Sequence, residues 1–80
     1  MRYFSYEVKM MELAQIQERL RACIKNSQYS QKEIAVAIGV SAQTVSKYMK
    51  LDIFPALDTL AKLCKFLDVK SDYILGLSEY

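Results

Sequence analysis

Residues 30–50, SQKEIAVAIGVSAQTVSKYMK, constrain the fold more than any other stretch of the chain. They read as two short helices, each opened by a serine and joined across one glycine, Gly39. Ser30 with Glu33 three residues on forms a capping box, in which each side chain satisfies a free backbone N–H of the first turn. Tyr29 before the cap and Ile34 after it stand where a hydrophobic staple stands. Ile34, Ala35 and Ile38 supply the apolar side of the first helix, and Val45, Tyr48 and Met49 that of the second. Small Ala35 predicts a close approach of the two backbones, Gly39 a left-handed turn just past the helix end, and Val45 a plug in the angle between them. A bulky residue at 35 or a β-branched one at 39 is expected to force the helices apart. The spacing therefore predicts a helix-turn-helix, whose second helix is held proud of the body so that it can enter a DNA major groove.

The rest of the chain reads as a frame for that pair. Leu13, Ile16, Leu20, Cys23 and Ile24 recur at three and four residues, and Asn26-Ser27-Gln28 ends the helix they define. After Leu51-Asp52-Ile53-Phe54, Pro55 fits the first turn of a fourth helix, with Leu57, Leu60, Ala61, Leu63, Cys64 and Leu67 inward. Asp68 replaces the glycine expected at its end and enters the left-handed region more easily than most residues. Ser71 is expected to cap a last short helix whose apolar residues are Tyr73, Ile74, Leu75 and Leu77. Residues 3–11 fit both a strand, through Phe4, Tyr6, Val8 and Met10, and a helical face, through Phe4, Val8 and Met11. The expected fold is all-α: a compact five-helix domain over 13–77, with 1–12 an arm or an extension of the first helix and 78–80 a tail.

Composition removes several function classes. A chain of 80 residues with 52% hydrophobic and 25% charged residues suits one globular domain. No run approaches the roughly 20 apolar residues of a membrane span, and Glu7 and Lys9 interrupt anything resembling a signal peptide. A cytoplasmic protein is expected. Histidine is absent, and Gly39 and Gly76 are the only glycines, which excludes a His-based triad and a glycine-rich phosphate loop and leaves little for zinc. Cys23 and Cys64 lack C-x-x-C spacing and read as small core hydrophobes. Glu12, Glu18, Asp58 and Asp68 stand at polar helix positions and read as a solvated surface. Neither an enzyme nor a cofactor is expected.

Groove geometry explains why the second short helix carries small and hydrogen-bonding residues. A groove about 12 Å wide admits a helix whose leading end presents short side chains to the bases. That end reads Ser41-Ala42-Gln43-Thr44, with Ser46 and Lys47 one turn later. Gln43 can make a two-pronged contact with an adenine edge, Ala42 can meet a thymine methyl, and Lys47 can reach a guanine or a phosphate. An ordinary solvated surface helix is the bland alternative.

Residues 16–77 resemble the lambda repressor/Cro-type helix-turn-helix family, also called XRE-like regulators. The matching pieces are I-Q-E-R-L-R, Y-S-Q-K-E-I-A-V-A-I-G-V-S, T-V-S-K-Y and P-A-L-D-T-L-A-K-L-C-K-F-L-D-V-K-S-D-Y-I-L-G-L. The resemblance implies five helices that bind double-stranded operator DNA, usually as a homodimer. By position it makes Ala42, Gln43 and Lys47 base readers with Ser46 beside them. It places Gln31 on a phosphate, where it braces the recognition helix, Ser41 and Thr44 near the DNA backbone, and Lys50 on a phosphate past that helix. Met49 and Leu51 stand where the family commonly has Glu and Gly, and Gln28 replaces a frequent glycine. The loop 51–54 is more apolar than a solvated loop. Either it tucks into the core, or Ile53 and Phe54 join Tyr73, Ile74 and Leu77 in a dimer or partner surface.

Charge adds a constraint. Residues 1–28 hold five basic and three acidic side chains, 29–50 three and one, and 51–80 three and five, for a net +2. The positive balance lies where DNA would be, yet so weak a charge argues for a dimer on two half-sites. A sequence-specific transcriptional regulator, a small dimeric repressor, is the leading expectation. An antitoxin-like or other protein-interaction module is the alternative. A chain that begins with Met and stops just past its last helix reads as a whole small regulator, with a fragment of a longer one the third possibility.

Overall fold

The computed structural model describes residues 12–50 and 53–79. Within them lie five helices and no strand: α1 Leu13–Lys25, α2 Gln31–Ile38, α3 Ala42–Met49, α4 Leu57–Leu67 and α5 Ser71–Ile74. The strand-or-helix question for 3–11, and Leu51 and Asp52 of the apolar loop, fall outside the described residues.

Every helix sends at least one side chain into the same core. Leu20, Ile34, Ile38, Val45, Leu63 and Ile74 are wholly buried, with Ile24, Ala35, Tyr48 and Cys64 nearly so. Burying a side chain of this size contributes about 1.5–3 kcal/mol, so short helices that could not persist alone are held by packing. α2 lies against both α3 and α4, while α1 packs on α3 and α5.

Two contacts tie the frame to its ends. The Arg19 guanidinium donates from Nη1 to the carbonyls of Tyr73 (2.7 Å) and Ser78 (2.8 Å) and rests 4.6 Å from the Tyr73 ring centre. Tyr29 stacks on Phe66 at 4.4 Å between centroids, joining the α1–α2 turn to α4. Asp68 takes the left-handed conformation expected of it, with φ 57°.

The structure corrects several expectations. Leu57 is 85% exposed, since it shares an edge of α4 with Ala61 where no described helix covers it. Leu13, at the very start of α1, is 64% exposed. Pro55 precedes the cap position, Ala56, so α4 starts after it. Ser71 is the first residue of α5 rather than its cap; Lys70 holds that position and makes no side-chain cap bond. Ile74 cannot serve a dimer or partner surface, because it is completely enclosed by the core.

Candidate nucleic-acid interface

The α2–α3 junction is built by hydrogen bonds that the sequence spells out. Ser30 Oγ accepts from the Glu33 N–H (3.1 Å), and Glu33 Oε1 accepts from the Ser30 N–H (2.8 Å), completing the capping box. Gly39 closes α2 with φ 78°, and the N–H groups of Gly39 and Val40 both donate to the Ala35 carbonyl. Around Gly39 a side-chain Cβ would meet nothing within 4 Å. The need for glycine is thus the left-handed backbone expected from the sequence, and a Cβ by itself would not crowd the two helices.

Ser41 then opens α3. Its Oγ accepts from the Thr44 N–H (3.1 Å) and lies 2.9 Å from Thr44 Oγ1. The two hydroxyls hold two hydrogens and spend one between themselves, so the pair keeps one for an outside acceptor. The N–H groups of Ala42 and Gln43, in the first turn, point outward from the cap with no intrahelical partner.

On α3, Val45 and Tyr48 face the core. At roughly 100° per residue, Gln43, Lys47 and Lys50 fall on the opposite side, Ser46 beside them, and Ala42 and Thr44 on the two flanks. Burial agrees: Ala42, Gln43, Lys47 and Lys50 are exposed, whereas Ser46 and Thr44 are half-buried. Gln31 is exposed at the leading end of α2. Gln31, Gln43, Lys47 and Lys50 make no side-chain hydrogen bond or ion pair with other described residues, in contrast to Arg21, which is bridged to Glu18 at 2.9 Å. The helix offers groups that fit base edges and phosphates and spends none of these long side chains on its own fold.

Of the residues expected on a dimer or partner surface, Ile53 and Phe54 are each 39% exposed and Leu77 58%. The described part of the loop is therefore only partly tucked in. Tyr73 is half-buried beneath Arg19. Sequence reading missed an open groove of about 560 Å³ between α4 and α5, lined by Leu57, Leu60, Ala61 and Leu75 together with the polar Lys65, Asp68 and Ser71. Its signal was present, as Leu57, Leu60, Ala61 and Cys64 form one helical stripe wider than a single neighbour covers. Also missed was Arg19, whose place on the polar side of α1 gave no hint of its carbonyl partners.

Burial first and neighbouring Cys64 second push the Cys23 thiol up, and burial pushes Cys64 up. Both are free thiols, and raised values disfavour the reactive thiolate. The Tyr48 phenol is likewise raised by burial.

Comparison with known proteins agrees with this geometry. The helix-turn-helix family profile matches residues 20–74. The SPbeta prophage-derived HTH-type transcriptional regulator YonR of Bacillus subtilis (strain 168) is 38% identical over 58 residues, 72% of this chain and 54% of YonR. The HTH-type transcriptional regulator ImmR of the same organism is 34% identical over 62 residues, 78% of this chain and 49% of ImmR. The chain thus spans about half the length of these two curated relatives. Among solved structures, that of the SOS-response transcriptional repressor LexA from Eubacterium rectale superposes with a TM-score of 0.70 at 28% identity, covering 79% of this chain and 67% of that one. On the profile match and these relatives, the chain belongs to the lambda repressor/Cro-type (XRE-like) helix-turn-helix family.

Proposed function

We propose that the protein is a sequence-specific DNA-binding transcriptional regulator, a small repressor that acts as a homodimer and inserts α3 into the major groove of operator DNA. The observation that carries this reading is the outward side of α3, whose long polar side chains are exposed and pair with no other described residue, while both short helices are locked by serine caps. Ala42, Gln43, Ser46 and Lys47 face the base edges. Gln31, Ser41, Thr44 and Lys50 hold the DNA backbone, which fixes register without reading sequence. Family membership and the names of the relatives support regulation by DNA binding over catalysis.

Dimerisation follows from charge and from apolar surface. A net charge of +2 supplies few phosphate contacts, so one copy holds DNA weakly and two copies on adjacent half-sites hold it better. Ile53, Phe54, Leu57 and Leu77 give each copy exposed apolar area to share, with Tyr73 at the margin. Selection of bound duplexes from random DNA tests the reading. It should return a symmetric site with half-sites about 34 Å apart, one DNA turn. Failure to retard any duplex at low ionic strength contradicts it.

A second reading, a protein-interaction module of the antitoxin-like kind, is favoured by the uncovered α4–α5 groove around Leu57. A stoichiometric protein partner, combined with no DNA retardation at low salt, would select it.

A further inference from the structure

The chemistry of α3 narrows what kind of operator it can read, an inference that rests on the DNA-binding reading above. Between Ser41 and Lys50 the chain has no Asp or Glu. The helix therefore lacks the acceptor-only side chains that take the N4 donor of cytosine. Its Ser41 and Thr44 hydroxyls bond each other at the cap and keep one hydrogen for a backbone phosphate, and Ser46 is half-buried. Two long, exposed side chains remain within α3 that make no side-chain hydrogen bond or ion pair with other described residues, Gln43 and Lys47. They lie one turn apart on the side away from Val45 and Tyr48.

The groups these two side chains carry match purines. A glutamine amide donates to N7 and accepts from N6 of adenine; a lysine ammonium, a donor only, suits N7 and O6 of guanine. Both contacts use the N7 acceptor, which only purines have. Four residues of helix rise about 6 Å, and base pairs stack about 3.4 Å apart, so the two readers sit about two base-pair steps apart. We infer that each half-site is specified by an adenine facing Gln43 and a guanine facing Lys47, about two steps apart, both recognised through N7. Gln43 and Lys47 are then specificity determinants rather than general anchors, and Lys47 is a base reader rather than a phosphate contact.

Atom substitution in the DNA tests this without altering the protein. In a duplex selected by the wild-type chain, each purine is replaced in turn by its 7-deaza analogue, which keeps pairing but removes the N7 acceptor. Wild-type protein should lose roughly 5-fold or more in affinity at one adenine and one guanine of each half-site, within the range of a lost base contact. The Gln43→Ala variant should become indifferent to 7-deazaadenine at its position, and Lys47→Ala to 7-deazaguanine at its own. Lys47→Arg should keep the guanine preference, because a guanidinium offers the same edge two donors. Wild-type binding that tolerates every 7-deaza purine overturns the inference while leaving DNA binding intact, as does a Lys47→Ala variant that loses affinity uniformly with a salt slope lower by about one. Absence of binding to any duplex overturns both this and the reading on which it rests.

Discussion

The two short helices and the frame around them are stabilised in different ways. α2 and α3 have eight residues each and both are preceded by a cap serine whose hydroxyl accepts a first-turn N–H. α1, α4 and α5 have Glu12, Ala56 and Lys70 at the cap position, none of which makes a side-chain cap bond. The frame is fixed by what it buries, through Leu20, Ile24, Leu63 and Ile74. The helix-turn-helix is fixed twice, by burial of Ile34, Ile38 and Val45 and by local hydrogen bonds at each start. A helix that must present side chains to a ligand cannot be enclosed on all sides, so the caps supply order that packing withholds.

This contrast can be broken at several points, the core first. Ile34→Ala should cost about 2–5 kcal/mol, because a wholly buried side chain leaves a cavity where α2 meets the core. Urea unfolding followed by circular dichroism reads that loss, and a change below half of it would place Ile34 outside the cooperative core. Gly39→Ala should cost roughly 1–2 kcal/mol through the left-handed backbone alone. Since a Cβ there has open space around it, Gly39→Asn should cost clearly less. Equal losses for Ala and Asn would point to crowding instead.

Caps come next. Ser30→Ala should lower stability by about 1 kcal/mol. Ala56→Ser should raise it by a similar amount, since Ala56 already has the extended backbone of a cap residue, φ −62° and ψ 161°. If neither changes the unfolding midpoint, local caps do not distinguish the two regions.

A smaller effect concerns pH. The folded-state values of Cys23, Cys64 and Tyr48 are raised above the ordinary 9.0 for thiols and 10.0 for tyrosine, so the folded chain holds these protons more tightly than the unfolded chain. Their contribution is fully present below those ordinary values and is lost as pH rises through the raised ones. Stability should be level in this respect near neutrality and decline in the alkaline range, as thermal unfolding at successive pH values can show.

Local signals in the sequence foretold local structure well. The Ser30–Glu33 box, the left-handed Gly39 and Asp68, and the helical repeats of α1 and α4 all have short-range causes, and each is present. Side-chain fates set by distant partners were not legible. Leu57 repeats at the spacing of a core residue yet lies open, because periodicity gives a face and not what covers it. Arg19 stands on the polar side of α1 and holds two carbonyls, those of Tyr73 and Ser78, more than fifty residues away. Ile74 read as a candidate surface residue and is enclosed for the same reason. At the candidate interface, residue types were legible from sequence, whereas the bond between Ser41 and Thr44, and the lack of any described partner for Gln43 and Lys47, are set by the folded arrangement.

The central claim is that the outward side of α3, with its Ser41 cap, is the surface DNA occupies. Amide resonances followed by NMR while a selected duplex is titrated into the protein test it most directly. The account predicts that the largest shifts fall on residues 41–47 and on Gln31, with the α4–α5 groove nearly unchanged apart from effects of dimerisation. Shifts concentrated around Leu57, Ala61 and Leu75, with residues 41–47 unmoved, would contradict it.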